Sequence, residues 1–356
     1  MSLQTDTLQQ SLPVQTMDLL STEQLKEACV RSEQVRFGDP LMIRTELPLR
    51  ALMFPLGFPV QISTNAQQVL DIACEIWGSF QQLFDRDPIR IQIGVTAGGS
   101  RAFHPAPVPR MRQHLCSNIA DAENFVITDL NQRFSYAWMT EATLEDASFV
   151  RNFFLDSTAM CHISNREASG IHAACVSLEG AGVLLCGDSG AGKSTLSYAC
   201  ARAGWTFVSD DGVYLVSGRD DRTVVGNCFI ARFRPPSEAF FPELAGRPQV
   251  KRALAGKPSI ELKIGADRDI NLSCATEIHH VVFLNRSTGR QELAPFPVDA
   301  ARMYMQQRLT GGPEQWSEQA RSFDHLLETG VYELHYRELD WAIERLTRLV
   351  RENLPH

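Results

Sequence analysis

The chain has 356 residues, 44% of them hydrophobic and 21% charged, which suffices for two packed domains and excludes an intrinsically disordered chain. A formal net charge of −8 does not attract a polyanion, so no nucleic acid partner is expected. The nine cysteines are scattered without a C-x-x-C pair, which speaks against a zinc ribbon or a disulfide framework.

Taken in chain order, the first segment, MSLQTDTLQQSLPVQ, lacks the basic and apolar regions of a signal peptide. No run in the chain approaches the roughly 20 apolar residues that cross a bilayer. A cytoplasmic protein with no membrane contact is expected. Residues 1–38 are polar and read as a mobile N-terminal segment, with a short helix over Ser21–Arg31 capped by Ser21 or Thr22. Residues 39–144 mix strand and helix signals, as in a smaller α+β N-terminal domain of unknown role. Leu52–Pro55 and Val60–Ile62 are predicted short strands. Asn65 is expected to cap a helix reaching Phe84, with Val69, Ile72, Ala73, Ile76 and Phe80 on one face. Ile89–Val95 alternates apolar and polar residues and predicts a half-buried strand. Gly98–Pro109 reads as a loop, and Asn124–Asp129 with Phe134–Met139 as a hairpin.

The second domain is placed at residues 145–356. It opens with a predicted helix over residues 144–164, followed by two strands, Ile171–Leu178 and Gly182–Cys186, joined by Glu179-Gly180-Ala181. The second strand leads into Gly187-Asp188-Ser189-Gly190-Ala191-Gly192-Lys193-Ser194, a full match to G-x-x-x-x-G-K-[ST]. A buried-type strand precedes it and a helix pattern, Ser194–Ala203, follows it, which is the context that gives such a match meaning. Glycines let backbone N–H groups close around phosphate oxygens, and the helix N-terminus adds partial positive charge. Lys193 is expected on the outer phosphates of ATP, with the Ser194 hydroxyl on Mg2+ and Thr195 completing the loop.

The next strand, Trp205–Ser209, ends in Asp210-Asp211. Carboxylates there can face the terminal phosphate, one holding the metal and the other taking a proton from an attacking hydroxyl. A plain Asp-Asp-Gly turn is the alternative. His172 lies at the end of its strand nearest the phosphate loop, within reach of the site. Arg232 and Arg234 alternate along Ile230–Phe233 and its continuation, on one face, either towards the phosphates or towards solvent. Lys251, Arg252 and Lys257 form a second basic cluster in a loop-like setting.

These residues resemble the kinase domain of HPr kinase/phosphorylase and its relatives. The resemblance covers Ile171–Leu215 and rests on the histidine before the hairpin, the G-D-S-G-x-G-K-S loop and a strand ending in Asp-Asp. It implies a domain similar to phosphoenolpyruvate carboxykinase, α/β with a mixed sheet and a P-loop. It also implies an ATP- and Mg2+-dependent kinase in which Gly187–Ser194 bind the nucleotide. Ser194 with Asp211 would then serve the metal, Asp210 would be the general base, and His172 would lie near the transferred phosphate. The chain departs from the family's bifunctional members at Thr195, where those have an acidic residue, and it lacks their E-[IL]-R-G-type stretch. A protein or peptide hydroxyl is therefore the expected acceptor, without commitment to HPr. A P-loop small-molecule kinase and a non-catalytic ATP-sensing regulator are the alternatives, and a homo-oligomer is left open.

Overall fold

A computed structural model of the chain describes residues 46–99, 107–250, 258–265, 269–286, 289–307 and 313–353. The helix expected over Ser21–Arg31, the mobile segment 1–38 and the cluster Lys251, Arg252 and Lys257 lie outside the described residues, as does part of the Gly98–Pro109 loop. The architecture is mixed α/β, with strands in three sheets. No described helix is long and apolar enough to cross a membrane.

The first sheet has seven strands: β1 (Leu49–Met53), β2 (Val60–Thr64), β3 (Ile89–Thr96), β4 (Val108–Arg112), β5 (Leu115–Ile119), β6 (Phe125–Asp129) and β7 (Phe134–Thr140). Their order is β1-β2-β3-β7-β6-β5-β4, with β2–β3 and β3–β7 parallel and the other pairs antiparallel. One face buries Val60, Ile62, Ile89, Ile91 and Ile93. Against it lie the helix Gln67–Trp77, through Val69, Ile72 and Ala73, and a helical run over residues 147–167, through Val150, Phe154 and Ile163. Each such side chain removed from water contributes about 2 kcal/mol.

Two local expectations need correction here. Asn65 does not cap the helix. Its side-chain amide exchanges two hydrogen bonds of 2.8 Å with the Val95 backbone, extending β3 pairing beyond β2. The helix starts after Ala66, and it stops at Trp77 rather than Phe84 because Gly78 follows, its N–H closing on the Cys74 carbonyl at 2.8 Å. The helix expected over residues 144–164 is found shifted to 147–167, and Val150–Asp156 and Ile163–Glu167 are wound as π-helix, a feature the apolar spacing does not announce.

The second sheet is built from β8 (Ala168–Ile171), β9 (Ala173–Leu178), β10 (Ala181–Cys186), β11 (Thr206–Ser209), β12 (Val213–Val216) and β13 (Thr223–Gly226), with later strands completing it. A small antiparallel sheet follows from β14 (Ile230–Phe233), β15 (Gln249–Val250) and β16 (Ser259–Lys263). The large sheet then gains β17 (Ala275–Asn285), β18 (Glu292–Pro295) and β19 (Gly330–His335). Along its main path the order is β11-β9-β10-β17-β13-β12-β8. β10 runs parallel to β17, whose far half pairs with β19 in parallel. Glu179 and Gly180 both take positive φ, at 53° and 88°, in the two-residue turn joining β9 to β10.

β10 is buried along its whole length, which explains its unbroken apolar run. Val183 and Leu185 face the helices Lys193–Arg202 and Leu339–Asn353. Leu184 and Cys186 face the helices Val298–Gln306 and Pro313–Leu326. The strand is thereby fixed between two helical layers, and its C-terminal end presents the glycine-rich loop.

Candidate active site

The loop Gly187–Ser194 joins β10 to the helix Lys193–Arg202, as the strand and helix patterns predict. Gly192 takes φ 101°, and a Cβ there would lie 2.5 Å from the Tyr336 hydroxyl, so only glycine fits the position. Asp188, Ser189 and Gly190 are exposed at the tip, while Lys193 folds back and is buried. Its Nζ donates to the carbonyls of Gly187 at 2.7 Å and Asp188 at 3.2 Å. It also lies 3.0 Å from His172 Nε2.

His172 does not open a strand. It occupies the single-residue break between β8, which pairs with β12, and β9, which pairs with β10 and β11. This break frees the imidazole to reach across the loop mouth. Nε2 meets Lys193, and Nδ1 lies 3.4 Å from Asp211 Oδ1.

β11 ends at Ser209, whose hydroxyl donates to the Gly212 carbonyl at 2.7 Å and sets the bend that carries Asp210 and Asp211. The two carboxylates diverge. Asp210 is 5% exposed and accepts the Arg232 backbone N–H at 2.6 Å. Burial pushes its pKa up to about 6, partly offset by that hydrogen bond and the Arg232 charge. Asp211 is exposed and turns to His172.

A cavity of about 290 Å3 brings together His172, Lys193, Ser194, Asp210, Asp211 and Arg234. Ser189, Gly190, Gly192 and Thr195 of the loop also line it, and the Thr195 hydroxyl lies 3.3 Å from Ser237 Oγ. Both arginines line this cavity, as the reading towards the phosphates expects, but their settings differ. Arg232 is in β14 and its Nε lies 3.4 Å from Glu261 Oε2, whereas Arg234 is beyond the strand, exposed, at the start of the 3-10 turn Pro235–Ala239. Arg234 keeps extended backbone, and Pro235 then opens the turn.

Two tyrosines were missed by sequence reading because they reach the loop from distant elements. The Tyr304 hydroxyl lies 2.7 Å from the His172 carbonyl and receives the Gly187 N–H at 3.2 Å. Tyr336 packs under Gly192, with the Arg286 guanidinium 5.6 Å from its ring centre and 6.0 Å from that of Phe240. No local motif surrounds either tyrosine.

The segment that carries this constellation also matches known proteins. Residues 164–232 match the family model described as HPr Serine kinase C-terminal domain. This segment is HPr kinase-like. The HPr kinase-like segment contains His172, the whole glycine-rich loop, both aspartates and Arg232, and it stops short of Arg234. Over 56 residues the chain is 43% identical to HPr kinase/phosphorylase of Limosilactobacillus reuteri (strain DSM 20016) and of Limosilactobacillus reuteri subsp. reuteri (strain JCM 1112). That match spans 16% of this chain and 17% of each relative's length. Among solved structures, the Hpr(Ser) kinase/phosphatase from Coxiella burnetii is similar at 16% identity and a TM-score of 0.27, over 52% of this chain and 99% of that one.

Proposed function

We propose that this chain is an ATP- and Mg2+-dependent phosphotransferase of the cytoplasm, a serine kinase acting on a protein or peptide hydroxyl, with residues 145–356 as a phosphoenolpyruvate carboxykinase-like P-loop domain. The observation that carries the reading is the chain of contacts Lys193–His172–Asp211, 3.0 Å and 3.4 Å long, beside a buried Asp210. An ATP sensor needs a phosphate loop but has no use for a buried carboxylate of raised pKa.

Backbone N–H groups of Gly187–Lys193 bind the phosphates, and Lys193 neutralises their outer oxygens. Ser194 and Asp211 suit Mg2+, which favours hydroxyl, carboxylate and phosphate oxygens and supplies charge neutralisation between the outer phosphates when bound. Asp210, with its pKa near 6, accepts the acceptor's hydroxyl proton at neutral pH. The hydroxyl oxygen bonds to the γ-phosphorus as the bond to the bridging oxygen breaks, and ADP leaves with that electron pair. His172 holds Lys193 and Asp211 in register, and Arg234 spreads charge off the moving phosphoryl group.

Incubating the full chain with γ-labelled ATP and host extract tests the reading. Label on protein or peptide serine is the expected result. Label confined to small molecules supports the small-molecule kinase instead, and ATP binding with no transfer supports the sensor.

A further inference from the structure

Asp210, Asp211 and Arg232 line two cavities. One is the phosphate-loop cavity already described. The other, about 260 Å3, is walled on its far side by Leu56, Ile76, Trp77, Phe80 and Met160, which come from the first sheet's loops and helices. The two parts of the chain are fixed to each other here. Phe80 meets Phe229 edge to face at 5.0 Å, and Trp77 Nε1 donates to Asp156 Oδ1 at 3.0 Å.

We infer that this second cavity is the acceptor's subsite, and that the residues before 168 select the acceptor. The inference rests on the phosphotransfer reading above. In an in-line transfer the hydroxyl approaches the γ-phosphorus from the side away from the departing ADP. A second cavity meeting the first at the proposed base gives the hydroxyl that approach, and its proton passes to Asp210 as the new oxygen–phosphorus bond forms.

The lining defines the acceptor's chemistry. The far side is apolar and aromatic, so a group that reaches it beside the hydroxyl is apolar, while Ser209, Tyr214 and Asn227 also line the cavity. The charged groups argue against an anion. Asp156, Asp210 and Asp211 face the cavity with only Arg151 and Arg232. Both arginines already face Glu261, at 3.8 Å and 3.4 Å, and Arg151 also lies 3.8 Å from Asp156. Even with Asp211 given to the metal, Asp156, Asp210 and Glu261 outnumber the two arginines, so an acidic acceptor would meet surplus carboxylate. The fitting acceptor is a hydroxyl flanked by apolar, non-anionic groups, carried by a peptide or by a free alcohol.

The test compares N-acetyl-Leu-Ser-Leu-amide, N-acetyl-Asp-Ser-Asp-amide and 1-hexanol on the full chain, by calorimetric binding and by transfer from γ-labelled ATP. The leucine peptide is expected to bind and react at least tenfold better than the aspartate peptide. Reaction of hexanol but of neither peptide would place the same chemistry on a free alcohol. Met160→Trp, which fills the cavity, should erase the preference while ATP affinity stays within twofold, and Ile76→Trp repeats the test should the first variant fold poorly. Equal treatment of the two peptides, a preference that survives both tryptophan variants, or ATP binding with none of the three probes phosphorylated overturns the inference. Absence of ATP binding would instead sink the phosphotransfer reading, and the peptide titrations would still decide whether the cavity discriminates.

Discussion

The Asp210 carboxylate accepts the main-chain N–H of Arg232 at 2.6 Å, which ties the end of β11 to β14 and holds a nearly buried acid at the mouth of the phosphate-loop cavity. Its pKa, raised by burial to about 6, gives a pH signature. The carboxylate form takes the proton, so transfer should rise with pH and level off above about 7, with an inflection near 6. Asp210→Asn should bind ATP and lose at least a hundredfold in transfer. If Asp211→Asn lost transfer while Asp210→Asn kept it, the roles of the pair would be exchanged.

The same shift has a cost for folding. Asp210 holds its proton more tightly folded, at about 6, than at its ordinary value of 3.8. Between those values the folded state binds more protons than the unfolded, so this group's contribution falls as pH rises from about 4 to about 6. The loss at neutral pH is on the order of 3 kcal/mol at most. Asp210→Asn should therefore melt a few degrees higher than the parent at pH 8, and show no such advantage at pH 4. Equal melting at pH 8 would mean that the carboxylate is better solvated than its burial implies.

Gly192→Ala should disrupt the loop on two counts, its φ of 101° and the 2.5 Å approach to the Tyr336 hydroxyl. Tyr336 is 1% exposed and cannot step aside. ATP affinity should fall more than tenfold, and Tyr336→Phe in the same chain should recover part of the lost thermal stability. A Gly192→Ala protein with parental ATP affinity in a calorimetric titration contradicts this account of the loop.

The core of the site was legible in the sequence because it is local. The glycine-rich loop, the Asp pair and His172 fall within 40 residues, and strand and helix patterns flank them. What was not legible depends on long-range packing. Tyr304 reaches the loop over 117 positions to bond Gly187. Asn65 has the right residue type for a cap, yet the backbone of β3 at Val95, beyond the end of β2, takes both its amide groups. Arg232 and Arg234 line one cavity, as their alternation suggests, yet the ion pair of Arg232 with Glu261 on the neighbouring strand lies 29 positions away and has no local signal.

Tyr304→Phe removes a hydroxyl shared by the His172 carbonyl and the Gly187 N–H. A net loss of about 1–2 kcal/mol follows from such bonds. Calorimetry should show ATP affinity about five- to tenfold weaker, with the fold intact by circular dichroism. Unchanged affinity would make Tyr304 a packing residue only.

Arg234 is exposed, so its replacement should leave the fold intact. Arg234→Lys keeps the charge but loses the planar fork, and transfer at saturating ATP should drop about tenfold. Full transfer by Arg234→Ala would remove this side chain from the site.

The phosphate loop is tested most directly by an equilibrium titration of the full chain with MgATP, run beside Lys193→Ala. Lys193 lies between the Gly187 and Asp188 carbonyls and His172, where it can turn onto outer phosphate oxygens. Saturable binding at one site by the parent chain and at least a hundredfold loss in a folded Lys193→Ala variant are expected. No binding by the parent, or equal binding by the two proteins, would contradict the phosphate-loop reading.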